Sequence, residues 1–155
     1  MKLRLCVTGK LKESPELEMV KKYLSRFEKI GRSINLFPIE IIEYDSLKWT
    51  KYLLEKKSSN SSFRDSYKVL LDERGKQINS KLFAKFLIKN RDDGISEVVF
   101  FIGGADGVPD NLKLKFNQII SFGTMVWPHM MARIMLMEQI YRASTIIAGV
   151  PYHKE

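Results

Sequence analysis

Two short groups in the C-terminal part of the chain hold the residue types best suited to proton handling and ring recognition. Trp127-Pro128-His129 opens a methionine-rich stretch, and Pro151-Tyr152-His153-Lys154-Glu155 closes the sequence; both histidines of the protein lie in these groups. An aromatic ring, an imidazole and a cation are what stack on a nucleobase or move its protons, whereas a terminal tail is ordinarily polar and featureless. His129 and Arg133 stand four apart and share one helical face, and Glu138 and Arg142 form a favourable helical pair. Structural roles also fit these positions: a helix entry for His129, a simple ion pair with Glu138 for Arg142.

A third group is rich in glycine. Val98-Val99-Phe100-Phe101-Ile102 is apolar on both alternating faces, as a central parallel strand covered on both sides should be, and it runs into Gly103-Gly104-Ala105-Asp106-Gly107. Glycines after a buried strand let ligand atoms approach the backbone. Their spacing is not a dinucleotide fingerprint, and no Lys-Ser or Lys-Thr follows as a phosphate loop requires. A small-molecule site and a plain tight turn both fit. Ser121-Phe122-Gly123-Thr124-Met125-Val126-Trp127-Pro128 is a second candidate wall, because its strand should end at the same sheet edge; a β-bulge is the alternative.

The elements that must position these groups follow from periodicity. Lys2 to Thr8 alternates Leu3, Leu5 and Val7 against other residues, a strand with Gly9 at its exit. Ser14 and Pro15 suit the cap and first position of a helix whose Leu17, Val20, Tyr23, Leu24 and Phe27 form one face. Ile34 to Ile42 reads as a second strand, with Pro38 requiring an edge position or a bulge. Ser58-Ser59-Asn60-Ser61-Ser62 reads as a mobile loop between a short helix and a third strand, Tyr67 to Leu71, that ends at Asp72-Glu73-Arg74-Gly75. Asn79 caps a helix with Leu82, Phe83, Phe86 and Leu87 inward. Strand Glu97 to Ile102, a helix over Asp110 to Gln118, a strand within Ile119 to Val126 and a helix from His129 to Ala148 complete an alternating order. This order predicts a single α/β domain over 1–155, with a mainly parallel sheet flanked by helices and a ligand crevice beyond the carboxyl ends of its strands.

With 155 residues, 45% of them hydrophobic, the chain can bury one ordinary core. Its apolar runs fall far short of the roughly 20 residues of a membrane helix, and Met1 to Leu5 lacks the apolar stretch of a signal peptide; a cytoplasmic protein without membrane contact is expected. Cys6, the single cysteine, reads as a buried small hydrophobe, and soft ligands are too few for a metal cluster. The net charge of +8 is regional: residues 1–92 hold 21 Lys and Arg against 12 Asp and Glu, and residues 93–155 hold 5 against 6. Such a basic region can attract a phosphate backbone or simply keep a surface solvated.

Taken in order, Phe101 to Gly107, Trp127-Pro128-His129, Glu138-Gln139-Ile140-Tyr141-Arg142-Ala143 and Pro151-Tyr152-His153-Lys154 resemble the bacterial ribosomal large-subunit RNA pseudouridine N3-methyltransferase family, a small branch of the SPOUT methyltransferases. The resemblance covers essentially the whole chain. It implies a deep trefoil knot in the C-terminal part, a rare exception to unknotted topology, a homodimer packed through knot helices, and S-adenosylmethionine as cofactor. By the same resemblance the cofactor touches Leu71, Gly103 and the segment Phe122, Gly123, Thr124, Met125, Val126 and Trp127, with Gly104 and Gly107 shaping the cradle. It implies 23S rRNA as partner, on assembled ribosomes, with the target base near His129, Arg133, Arg142, Tyr152, His153 and Lys154 and the tail of one subunit completing the other's site. His153 or His129 would handle the proton, Arg142 and Lys154 would stabilise the uracil-like anion, and Tyr152 would stack or position. Two departures stand out: Ala105 where proline is common in the family, and Trp127 where a smaller aliphatic residue usually precedes Pro-His. A noncatalytic ribosome-associated dimer and a generic nucleotide-dependent enzyme are the rival functions.

Overall fold

Every residue of the strand Glu97–Ile102 is buried, and the rest of the fold is built around it. The computed structural model describes residues 1–45, 47–50, 66–104 and 106–154; the serine-rich segment Ser58 to Ser62, the short helix expected before it, and Ala105 lie outside them. In chain order the elements are β1 (Lys2–Thr8), α1 (Pro15–Gly31), β2 (Ile39–Tyr44), a 3-10 turn (Leu47–Trp49), β3 (Ser66–Gln77), α2 (Ser80–Asp92), β4 (Glu97–Ile102), α3 (Asp110–Lys113), β5 (Gln118–Ser121) and α4 (His129–Ala148). Among the described residues the sheet runs β2-β1-β4-β3-β5, and each neighbouring pair is parallel. β4 is thus the central strand that its two apolar faces predict.

Alternation sorts the core into two layers. Leu3, Leu5 and Val7 of β1 and Val98, Phe100 and Ile102 of β4 face the helical layer, where Phe27, Leu87, Leu136, Met137 and Ile140 are fully buried. Cys6, Val99 and Phe101 face the other side, against Trp49, Val108 and Leu112. Trp49 stands 5.0 Å from the Phe101 ring and donates to Thr8 Oγ1 at 3.1 Å. Burial pushes the Cys6 thiol up to about 12, so it is an inert part of this layer.

Local signals set the helix starts. Ser14 Oγ accepts from the Leu17 N–H, with Pro15 in the first turn, and Asn79 Oδ1 accepts from the Leu82 N–H at 2.8 Å. α4 ends at Gly149 in the left-handed conformation, φ 67°, as a helix C-terminus favours. α4 packs on both α1 and α2.

Four boundaries differ from the sequence reading. β2 begins at Ile39 rather than Ile34, because Ile34 and Leu36 are buried in a turn with Asn35 at φ 57° rather than in a ladder; β2 is an edge strand, as Pro38 requires. β3 continues to Gln77 instead of ending at Leu71, with the Asp72–Gly75 stretch forming an irregularity between its two pairings with β5. α3 stops at Lys113 because Phe116 turns inward onto Phe101 and Trp49, leaving Leu114 88% exposed. β5 ends at Ser121, so Phe122 to Pro128 is a loop.

Candidate functional site

The irregular part of β3 that follows Leu71 and the segments leaving the carboxyl ends of β4 and β5 lie side by side, since Leu71 pairs with both Ile102 and Ile120. At the end of β4 the Gly107 N–H donates to the Gly104 carbonyl at 3.0 Å, with Gly107 at φ 69°. A Cβ on Gly103 would lie 3.1 Å from Val108 Cγ2 and 3.3 Å from the Gly107 carbonyl carbon, so side-chain atoms are excluded where the turn closes. Beyond β5, Ser121 Oγ donates to the Gly123 carbonyl at 2.5 Å and accepts from its N–H at 3.1 Å, which shapes the loop leading to Pro128. In β3 a Cβ on Gly75 would stand 2.6 Å from the backbone of Ile120; only glycine permits that approach.

Together these segments wall a cleft of about 780 Å³ that continues to the first turn of α4. Its lining includes Leu71, Gly103, Gly104, Gly107, Phe122, Gly123, Met125, Val126, Trp127 and His129. Thr124 is exposed on the same loop, outside that lining. Met125 and Val126 are 67% and 76% exposed, an apolar cost a bare surface loop has little reason to carry.

The cleft is acid-balanced within a protein of charge +8: Asp72, Glu73, Asp106 and Asp110 line it against Arg74 and Lys113. Lys113 Nζ bridges Asp72 at 2.8 Å and Asp110 at 3.1 Å. Burial works against the Asp72 carboxylate, yet the Lys113 hydrogen bond and the Arg74 N–H outweigh it and hold Asp72 below its ordinary range. Backbone walls, an apolar flap and excess negative charge suit a small ligand that carries a cationic centre and a flat ring.

The tail forms a second cluster. Arg142 donates to Glu138 Oε1 through Nε at 3.0 Å and Nη2 at 2.5 Å, and the Tyr152 hydroxyl donates to the same oxygen at 3.1 Å. The guanidinium lies 4.8 Å from the Tyr152 ring centroid, and Arg142 Nη1 is 3.4 Å from His153 Nδ1. Burial first, then the Glu138 carboxylate, pushes the Tyr152 phenol up to about 12, so it is a hydrogen-bond donor at neutral pH. Lys154 is exposed beside it.

His129 and Arg142 are about 20 Å apart along α4 at a rise of ~1.5 Å per residue, and among the described residues the tail's hydrogen bonds run to Glu138 and Arg142. His129 instead sits at the helix entry, with Nε2 3.3 Å from where a Gly9 Cβ would be. Arg133 points inward rather than to the surface expected for RNA contact: it is 1% exposed, donates to Glu43 Oε1 at 2.5 Å and donates to the Gly9 carbonyl at 2.8 Å. Glu138, Asp72 and Lys113 enter the site without having been singled out from the sequence. Glu138 was visible there only as a helical partner of Arg142, and nothing local announces the Asp72–Lys113 bridge.

A parallel α/β sheet with a backbone-walled cleft at its carboxyl edge and a separate aromatic, cationic tail cluster characterise this fold. The chain belongs to the SPOUT methyltransferase family: the family described as "Predicted SPOUT methyltransferase" matches residues 1–153. It is 43% identical over 155 residues to "Ribosomal RNA large subunit methyltransferase H" of Dinoroseobacter shibae, covering 99% of each chain. The protein of the same name from Phenylobacterium zucineum is 40% identical over 100% of each. A solved structure, a probable methylase family protein from Haemophilus influenzae Rd KW20, shares the fold with a TM-score of 0.53 at 11% identity, over 95% of this chain and 66% of that one. Among the described residues no helix is long and apolar enough to cross a membrane.

Proposed function

We propose that this chain methylates N3 of a pseudouridine in 23S rRNA, using S-adenosylmethionine, as a cytoplasmic homodimer acting on assembled ribosomes. The observation that carries this reading is the end-to-end similarity to relatives named as large-subunit rRNA methyltransferases, spanning both the cleft loops and the tail. The cleft fits the donor. Its excess carboxylates suit a sulfonium and an ammonium, and its glycine turns leave backbone groups open to a nucleoside. Gly103, Leu71 and the loop from Phe122 to Trp127 would hold it, with Gly104, Gly107 and Gly123 giving the backbone its shape. In the same reading the single domain over 1–155 carries a trefoil knot in its C-terminal part.

Bound there, S-adenosylmethionine supplies a methyl group on a sulfonium that is already an excellent leaving group. The chain's own work is then to align the acceptor nitrogen, exclude water and deal with one proton. His153 or His129 would take the N3–H proton on its imidazole and so free the nitrogen lone pair for the donor's methyl, whose bond to sulfur breaks with its electron pair left on the departing thioether. Arg142 and Lys154 stabilise the anionic ring, and Tyr152 stacks on it or fixes its plane. The separation of His129 from Arg142 along α4 supports a composite site, in which the tail of one subunit closes over the cleft of the other. Arg133, held inside by Glu43, fixes the Gly9 carbonyl at the turn that His129 faces, while the basic residues of 1–92 track the RNA backbone.

The test combines binding with turnover. Calorimetric titration with S-adenosylmethionine should give one site per chain, and labelled methyl should enter ribosomes at the pseudouridine. RNA affinity should fall steeply with salt while donor affinity hardly changes. Absence of donor binding, or binding without methyl incorporation into either ribosomes or free 23S rRNA, would overturn the proposal; the second outcome would point to a noncatalytic ribosome-associated dimer.

A further inference from the structure

We propose that Glu138 is a positioning residue for methyl transfer: one carboxylate oxygen gathers Arg142 and Tyr152, and Gln139 and Ser80 hold that carboxylate from behind. The inference rests on the functional reading above and adds a residue that the reading does not use. A plain helical ion pair joins two side chains one turn apart and contributes little. Glu138 does more. Its Oε1 accepts from two nitrogens of Arg142 and from the hydroxyl of Tyr152, a residue beyond the end of α4 and fourteen positions downstream. Its Oε2 accepts from Gln139 Nε2 at 2.7 Å, and Gln139 Oε1 accepts from the Ser80 hydroxyl at 2.8 Å. The tail is thereby tied, through Glu138, to the first turn of α2.

The consequence for the site is geometric. With Nε and Nη2 engaged by Glu138, Arg142 has Nη1 left to meet His153, and its guanidinium lies near the Tyr152 ring. The phenol proton is directed at Glu138 and the Arg142 guanidinium lies over the ring, so the contacts that Glu138 makes also limit where a base can lie against Tyr152. Glu138, Gln139 and Ser80 also line a cavity of about 480 Å³ that reaches Phe122 and Gly123, the loop that walls the donor cleft. The carboxylate therefore stands between the tail and that loop. Other groups bearing on the phenol are Tyr23 of α1 and Arg142 of α4, with the Tyr141 ring 4.6 Å away.

The experiment uses the full-length protein with ribosomes and labelled S-adenosylmethionine, and compares E138Q with R142A and Y152F. E138Q keeps the size and an acceptor oxygen but removes the charge. Its single-turnover rate should fall on the order of 10- to 100-fold, the loss expected for charge-assisted hydrogen bonds, while the KM for the donor stays within about twofold. The Tyr152 phenolate, read as the ultraviolet titration difference between parent and Y152F, should form at lower pH in the E138Q background. That titration shows that Glu138 bears on the phenol; the rate loss at unchanged donor KM is what a merely structural role would not give. Parent-like rates in E138Q, with R142A and Y152F slow, overturn the role of Glu138 alone. Parent-like rates in all three overturn the chemistry assigned to the tail and this inference with it. Should E138Q fail to fold, Gln139→Ala loosens the same carboxylate without removing it; a severalfold slower rate supports the positioning role, and an unchanged rate overturns it.

Discussion

Replacing Arg133 with methionine separates the RNA contact that the family resemblance implies from the inward role that its packing shows. On a surface, an arginine one turn after His129 would contact RNA phosphate; in the structure its guanidinium is enclosed, with two donors committed to Glu43 and the Gly9 carbonyl. Methionine keeps much of the volume and removes both bonds, leaving the Glu43 carboxylate without its counter-ion. Breaking a buried pair from one side costs about 3–5 kcal/mol. Glu43 retains the Leu11 N–H at 3.0 Å and its side chain is 29% exposed, so the lower end, about 3 kcal/mol, applies. For a domain of this length each kcal/mol lowers Tm by roughly 2–4 °C, which gives a drop of about 6–12 °C in scanning calorimetry. Adding Glu43→Gln to Arg133→Met should recover part of this, because the stranded charge is gone.

The RNA arm of the same experiment decides between the roles. A surface arginine that neutralises a phosphate contributes about one unit to the slope of log K against log salt; an enclosed one contributes nothing. Arg133→Met is therefore expected to lower Tm and leave the salt slope of RNA binding unchanged, measured well below the transition. An unchanged Tm with a slope flattened by about one would refute the reasoning and return Arg133 to the RNA surface.

Other perturbations probe the cleft and its supports. The Asp72 pKa is depressed in the folded chain, so its bridge to Lys113 contributes stability above the unfolded carboxylate value of about 3.9. That contribution is lost as pH falls through the lower folded value; the Tm difference between parent and Asp72→Asn should shrink to nothing in that acid range and stay constant near neutrality. Gly75→Ala places a methyl against the Ile120 backbone and is expected to destabilise by about 1–3 kcal/mol by forcing β3 and β5 apart, read as a lower midpoint in urea. Trp127 is 40% exposed at the cleft while Trp49 is fully buried, so donor binding should change the fluorescence of the parent and leave Trp127→Phe unchanged; an equal response in both would place the donor elsewhere.

What the sequence discloses about this protein follows the range of the interactions involved. β1, α1, α2, β4 and α4 are legible because their determinants are local: alternation in β1, Ser14 with Pro15, Asn79 as a cap, and a doubly apolar strand. The carboxyl edge was legible as well, since strand direction alone brings the glycine turn and the Phe122–Trp127 loop together. β3 was cut short because Asp72-Glu73-Arg74-Gly75 carries every mark of an exit, and only pairing with β5 turns it into an irregular continuation. α3 is shorter than its helical period suggests because the inward pull on Phe116 comes from Phe101 and Trp49, which no helical period can register. The same limit governs the site. Helical spacing says that His129 and Arg133 share a face, but the direction of that face is decided by Glu43, ninety positions away. Spacing likewise pairs Glu138 with Arg142, yet the feature that could make Glu138 matter for chemistry is a hydroxyl beyond the helix end that returns to the same oxygen. A carboxylate that binds two partners from different segments gives their relative placement, which neither partner's sequence neighbours can supply; in this chain that placement sets where a base could meet the tail.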